Sequence, residues 1–505
     1  MRSDILCKML PEFKRRLPVY KSAPTDRCDK VSSQRNDAGA ACMNVIWIVA
    51  DTFRQDHLGA YGKKPILTPS LDALAAKSTL FTRHYAAGFP TMPTRADHAL
   101  GRWTMSFMGW EPLPGDATTL AEILASNGYH TAAMVDTPFY LRGGMNYDKG
   151  FQTFSMYTGQ EGSVTRLLTH HHHESRDARE AWRFEADRNV AQTVTRAMQW
   201  LQLHYTEDFF LYIDTWDPHE PWDAPTYYSR LYMPDHDGEV VQPPYGFWQE
   251  APGYTEEKVA KARAAYAGEV TMVDTWIGYL LRMVQNMGLT DDTAIIFTSD
   301  HGFYFGEHGG LFGKMTFAKR PDGSMFQHGD PGSAWTFSPL YEETTSIPLI
   351  VHVPGAEPNV YNGLTSAIDV MPTVLEVLGQ DIPQWVEGSS LLPRVRDTST
   401  PGREFTVTTV PFADPGDPVR SVDNFRRKLE SSLVTTVSTD EWVLLYTTDE
   451  GMSQLYHLPT DPGQEKDVIA DNPDVARGVH QHLVKFMRDT NLPERRIQPR
   501  LELRM

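Results

Sequence analysis

The sequence predicts an α/β fold: a mostly parallel, mixed sheet sandwiched by helices, with a smaller C-terminal α+β subdomain on an antiparallel sheet. Two observations carry this. Short apolar runs alternate with helical stretches along most of the chain, which is the pattern of a parallel sheet covered on both faces. Near the end the style changes to closely spaced strand-like runs separated by polar turns, which is the pattern of an antiparallel sheet.

Each element follows from its residues. "NVIWIVAD" (Asn44–Asp51) is an apolar run closed by an acid, a buried strand delivering Asp51 at its C-terminal end. "TPSLDALAAKS" reads as a helix capped by Thr or Ser. "TTLAEILASNGYHTAAMVD" reads as helix, glycine stop and strand. The same alternation recurs in "VAQTVTRAMQWLQLH" with "FFLYIDTW", and in a long helix from Glu256 to Met287 with "TAIIFTSDHG". "SIPLIVHVPG" is a further strand and "DVMPTVLEVLG" a further helix. "SSLVTTVSTDEWVLLYTTDEGMSQLYHL" then supplies the antiparallel strands, and "NPDVARGVHQHLVKFMRDT" a closing helix. The expected division is an irregular N-terminal extension over 1–42, a catalytic domain over 43–380 and a C-terminal subdomain over 381–505. Met43 is a candidate native start.

Composition excludes several classes. With 65 acidic against 47 basic residues, the formal charge of −18 argues against a general nucleic-acid surface. The three cysteines, Cys7, Cys28 and Cys42, all precede Met43. A disulfide framework and a cysteine-derived nucleophile are therefore both excluded from the rest of the chain. No apolar run approaches membrane-spanning length, and "MRSDILCKMLPEFKRRLPVYKSAP" lacks a signal-peptide core. The chain is expected to be soluble and cytoplasmic, with no membrane partner; homo-oligomerisation is left open. Four adjacent histidines, His170–His173, read as an exposed loop, because neighbours in sequence rarely converge on one ion.

In a parallel sheet, ligands bind beyond the C-terminal strand ends. Asp51, Asp214, Asp300 and His301 all fall there. Singly, each reads as a turn or cap residue. Together, two carboxylates and an imidazole at neighbouring strand ends form a candidate site for one divalent ion. In "TMPTRADHALGR", Pro93 suits a helix start and puts Thr91 near the N-terminus, where backbone N–H groups favour an anion. Thr91 is either a plain cap or a nucleophile whose weak hydroxyl a metal ion would activate. Arg95, one turn on, can reach an anionic group or the metal-binding carboxylates. His219, in the proline-fixed loop "DTWDPHEPW", is a candidate proton donor to a leaving oxygen. Lys314 is a flexible cation suited to a phosphate or sulfate oxygen.

These blocks resemble, in order, the sulfatase family of the alkaline phosphatase superfamily. The resemblance runs through "NVIWIVADTFRQDHLGAYG", "TPSLDALAAKSTLFTRHYA", "TMPTRADHALGR", "SDHGFYFGEHGGLFGK", "AIDVMPTVLEVLG" and "QLYHLPTDPGQEKDV". It implies Asp51, Asp300 and His301 as metal ligands, and Thr91 is the fourth candidate ligand through its oxygen. It also implies His219 and Lys314 at substrate-binding positions and His308 as a substrate contact. The family's attacking residue opens Cys/Ser-x-Pro-x-Arg and is oxidised to formylglycine. Here those positions are Thr91, Pro93 and Arg95, and threonine is not a residue type that is oxidised. Thr52 replaces the usual second aspartate after Asp51, which favours manganese or zinc over calcium. The expected lysine–histidine block after "GYHTAAM" is absent, leaving Thr137 as a substrate contact.

The single hydroxyl of Thr91 bears on the reaction. Formylglycine hydrate attacks with one hydroxyl and expels sulfate with the other. A Thr91 ester must instead be released by attack at sulfur or phosphorus, which metal-activated water can do to a phosphoryl group. The expected activity is hydrolysis of a small anionic ester, a phosphodiester or a phosphonate or phosphate ester. The alternatives are sulfuric ester hydrolysis, phosphoryl transfer to another alcohol, and a catalytically inactive binding protein.

Overall fold

The computed structural model describes residues 43–137, 144–157, 182–317, 335–337, 339–414, 417–420, 426–428 and 434–505. The expected 1–42 extension and the His170–His173 run lie outside the described residues. Residues 43–505 form one compact unit.

The central sheet has eight strands: β1 (Asn44–Ala50), β2 (Thr79–Phe81), β3 (His130–Val135), β4 (Thr153–Met156), β5 (Phe209–Thr215), β6 (Thr293–Ser299), β7 (Leu349–His352) and β8 (Asn359–Tyr361). Their order across the sheet is β8-β2-β7-β6-β1-β5-β3-β4. All run in one direction except β7, which is antiparallel to both β6 and β2. The expected mostly parallel, mixed sheet is the observed one.

The sheet holds together because its strands are apolar on both sides. Alternate residues of β1 enter different cores, as the two-residue period of a strand requires. Ile46, Ile48 and Ala50 pack with Val194 and Leu201 of the helix Asn189–His204 and with Tyr266, Val270 and Ile277 of the helix Glu256–Asn286. Val45, Trp47 and Val49 pack with Leu120 and Leu124 on one helix and Met371, Val374 and Leu375 on another.

One helix start departs from expectation. Thr68 precedes the helix Pro69–Ala75 but makes no side-chain cap. Its hydroxyl instead accepts from the Gly59 N–H and donates to Asp72. Asp274, from the long helix Glu256–Asn286, accepts from the Ser70 and Leu71 N–H groups at 3.1 and 2.7 Å. A tertiary carboxylate has displaced the local cap.

A second sheet of four antiparallel strands, Thr406–Thr409, Thr435–Ser438, Trp442–Tyr446 and Gln454–His457, follows near the C-terminus. The helix Pro473–Asp489 covers it, with Val479, Leu483 and Met487 against Val437, Leu444 and Tyr446. Thr409 on its edge accepts from the Phe89 N–H at 2.9 Å and donates to Ala87 O at 3.0 Å. The second sheet thereby braces the segment that leads to Thr91.

Candidate active site

Three adjacent strands deliver the charged groups. Ala50 of β1 is paired with Ser299 of β6, so Asp51 and Asp300 leave the sheet side by side. Val49 is paired with Asp214 of β5, which brings a third carboxylate from the other neighbour. All three aspartates are fully buried.

Thr52 locks the first two together. It sits at φ 60°, a left-handed conformation that a β-branched residue rarely adopts and that costs about 1–3 kcal/mol. Its N–H donates to Asp300 Oδ1 at 2.9 Å and its hydroxyl to Asp51 Oδ1 at 2.6 Å, while its carbonyl accepts from the Tyr266 hydroxyl at 2.8 Å. Where an acid was expected, the chain has a strained clamp.

Thr91 is the first residue of the helix Thr91–Leu100, which Gly101 ends at φ 61°. Pro93 falls within the first turn, where its missing N–H leaves no helical bond unmade. Gly88 is required here, because a Cβ would lie 2.6 Å from Pro93 Cβ. The Thr91 hydroxyl is 3.3 Å from His301 Nε2. His301 Nδ1 is 2.9 Å from Gly302 O and so carries its proton toward that carbonyl, leaving the Nε2 lone pair toward Thr91. Burial holds the His301 pKa down to about 4, so the imidazole is neutral at neutral pH.

Arg95 joins the carboxylates. Its Nε and Nη2 bind Asp214 at 2.8 and 2.7 Å, and Nη1 binds Asp300 Oδ2 at 2.7 Å and Thr91 O at 3.2 Å. Nη2 also lies 3.0 Å from Asp51 Oδ2. All five guanidinium N–H groups therefore face the protein. Of the two expected roles, contact with the carboxylates is the one the geometry supports: four N–H groups are hydrogen-bonded to the protein and Nη2 is also ion-paired with Asp51.

His219 and Lys314 meet, with Nε2 and Nζ 2.5 Å apart. His219 Nδ1 is 2.7 Å from Glu220 O, and its ring stacks on Trp216. Burial, and then the Lys314 ammonium, push the His219 pKa well below its ordinary value. His219, the candidate proton donor, is thus paired with Lys314. With Nδ1–H directed to Glu220 O, its Nε2 accepts from Lys314 Nζ.

Two predicted contacts are engaged elsewhere. The Thr137 hydroxyl donates to Asp214 Oδ1 at 3.2 Å and the residue is fully buried. His308 pairs with Glu343 at 2.9 Å and stacks on Tyr341 with ring centres 3.7 Å apart. Asp214, which the sequence places simply at a strand end, has a larger part. Its bidentate pairing with Arg95, and its hydrogen bond from the Tyr212 hydroxyl at 3.0 Å, make it part of the site.

Comparison with known proteins gives this arrangement a family. The family model described as Sulfatase matches residues 43–380. The chain belongs to the sulfatase family. It is accordingly an ester hydrolase by family. The multifunctional alkaline phosphatase superfamily protein PehA of Trinickia caryophylli is 26% identical, over 69% of this chain and 76% of its own. Arylsulfatase K of Mus musculus is 22% identical, over 92% of this chain and 82% of its own. The crystal structure of the phosphonate monoester hydrolase of Agrobacterium radiobacter superposes with a TM-score of 0.67 at 23% identity, covering 89% of this chain and 96% of that one. That likeness establishes the fold. Among the described residues, no helix is long and apolar enough to cross a membrane.

Sulfatase-family enzymes use a divalent metal, and the residues here fit one. Donor atoms of Asp51, Asp300 and His301 lie within 4.8 Å of one another, all buried. Three carboxylates surround a single guanidinium, so the buried cluster is short of positive charge. Burial and the neighbouring Asp300 push the Asp51 carboxyl well above its ordinary range. Asp51 Oδ2 has no hydrogen-bond partner despite full burial. A buried carboxylate oxygen that accepts no hydrogen bond, beside a neutral imidazole, is a donor set suited to a cation.

Proposed function

We propose that the chain is a metal-dependent hydrolase of phosphodiesters or phosphonate or phosphate esters with Thr91 as nucleophile. The machinery would lie in residues 43–380, with 381–505 as the bracing subdomain. The observation that carries the reading is the Thr91 hydroxyl, 3.3 Å from His301 Nε2 at the start of a buried helix. Thr91 then stands at the position where the family carries formylglycine.

A divalent ion held by Asp51, Asp300 and His301, with the Thr91 oxygen beside them, would supply charge that lowers the hydroxyl pKa and offsets the phosphoryl oxygens. The donor set, one imidazole with carboxylates, suits manganese or zinc better than calcium. Arg95 positions the carboxylates. The helix N-terminus favours the anionic group of the substrate. Thr91 Oγ1 gives its proton to solvent and bonds to phosphorus as the bond to the leaving oxygen breaks, and the leaving oxygen takes a proton from the Lys314–His219 pair. Water then attacks phosphorus and returns one proton to that pair, the bond to Thr91 breaks, and the Thr91 oxygen takes up a proton from solvent. Lys314 also faces an anionic substrate oxygen.

Aryl phosphodiester, phosphonate, phosphate and sulfate esters assayed with manganese or zinc test the reading. Turnover of the phosphorus esters, abolished by Thr91→Ala with metal still bound, is expected. Turnover of the sulfate alone would refute the phosphorus assignment and favour the sulfuric ester reading, toward which the arylsulfatase relatives point.

A further inference from the structure

A second cluster of metal-ligating side chains lies at the opposite end of the sheet. His130 opens β3, His204 closes the helix Asn189–His204, and Glu207 lies just before β5. The candidate active site is at the other end of these strands, Thr137 beyond β3 and Asp214 near the end of β5. The rise of β3 alone separates the two by about 20 Å.

The three donors converge. His130 Nδ1 and His204 Nδ1 are 3.1 Å apart, His204 Nδ1 is 3.3 Å from Glu207 Oε1, and His130 Nδ1 contacts Glu207 Oε2. Nitrogen or oxygen ligands about 2.0–2.1 Å from a tetrahedral zinc ion are about 3.3 Å from one another. Two of the three separations, His130–His204 at 3.1 Å and His204–Glu207 at 3.3 Å, are close to the edges of such a tetrahedron, and the Glu207 carboxylate has a second oxygen in direct contact with His130.

The frame around the donors is fixed. The His130 N–H donates to Asp208 O at 2.8 Å, and the Glu207 N–H to His204 O at 3.0 Å. Trp200 stacks on the His204 ring with centres 4.6 Å apart and planes 23° from parallel. The side chains of His130 and Glu207 are each 41% exposed and that of His204 24%, so solvent can reach the fourth position.

We propose that His130, His204 and Glu207 form a zinc site, distinct from the active site, that ties the end of one helix to the starts of two strands. Two imidazoles and one carboxylate, with water completing the tetrahedron, are an ordinary zinc ligand set.

The test uses the full-length chain freed of metal and titrated with zinc ion alone, with stoichiometry read by elemental analysis after dialysis. Glu207→Gln keeps the shape and hydrogen bonding but removes the charged ligand; His204→Gln removes a nitrogen. Both variants retain Asp51, Asp300, His301 and the His170–His173 run, so zinc held there cancels in the comparison. One fewer equivalent of zinc in each variant is expected, together with a zinc-induced rise in Tm that is larger in the wild type. Equal stoichiometry in all three chains would overturn the site. So would a wild type that is already more stable than both variants without metal and gains no further Tm from zinc, since the cluster would then be a hydrogen-bonded triad only.

Discussion

Arg95 illustrates how one residue can set a whole site. Its donors hold two carboxylates and the Thr91 carbonyl by hydrogen bonds and face a third carboxylate, all of them buried. A lysine has one point charge and no fork. Arg95→Lys is therefore expected to leave part of the cluster unpaired and to destabilise the fold by about 3–5 kcal/mol, measured by urea denaturation. Thr91 gives the complementary case, a residue whose change alters chemistry and spares the fold. Thr91→Ser keeps a hydroxyl and is expected to retain turnover, whereas Thr91→Ala retains the Tm within a few degrees and loses turnover. Retained activity in the alanine variant would remove Thr91 as nucleophile. His98 makes a third prediction at this scale. Both ring nitrogens lack a partner, and burial holds its pKa down to about 3. Below about pH 6.5 the unfolded chain takes up a proton that the folded chain refuses. Folded stability therefore falls as pH drops through the window from 6.5 toward 3, by up to about 1.4 kcal/mol per pH unit. His98→Phe should gain Tm relative to wild type at pH 5 and show no pH-dependent gain above pH 7.

At the scale of elements, the strand ends govern. Gly302 follows His301, and a Cβ there would lie 1.9 Å from the backbone oxygen of Glu343. Gly302→Ala must push these segments apart, destabilising by about 1–3 kcal/mol and loosening metal binding through His301. Metal titration of the folded variant checks the second effect. These elements were also the part of the protein most open to reading from sequence. Asp51, Asp300 and His301 each follow a buried apolar run, and a parallel sheet presents such positions together. Asp214 was equally visible as a strand end, but its role depends on Arg95, 119 residues away, and no local pattern announces that pairing. The meeting of His219 with Lys314, 95 residues apart, was hidden for the same reason. Thr137, a candidate substrate contact by resemblance, turns its short side chain onto Asp214, a contact that no local pattern announces. The cap of Pro69–Ala75 shows the limit of local rules, since Asp274 arrives from another helix.

For the whole molecule, the sheet and its two flanking cores form first claims on stability, and the site is mounted on that frame. The C-terminal sheet adds a second support by hydrogen-bonding the segment before Thr91. Loosening the edge strand at Thr409 is therefore expected to lower activity more than Tm: Thr409→Pro removes the N–H that reaches Ala87 O, and kcat with Tm measured on the same sample would separate the two effects. A further consequence concerns the order of maturation. The guanidinium of Arg95 is a resident cation, covalently part of the chain, and it is in place among the carboxylates as soon as the helix docks. Folding is therefore expected not to wait for the metal. Chelation should yield a silent but cooperatively folded enzyme that regains activity on adding metal, without a refolding step.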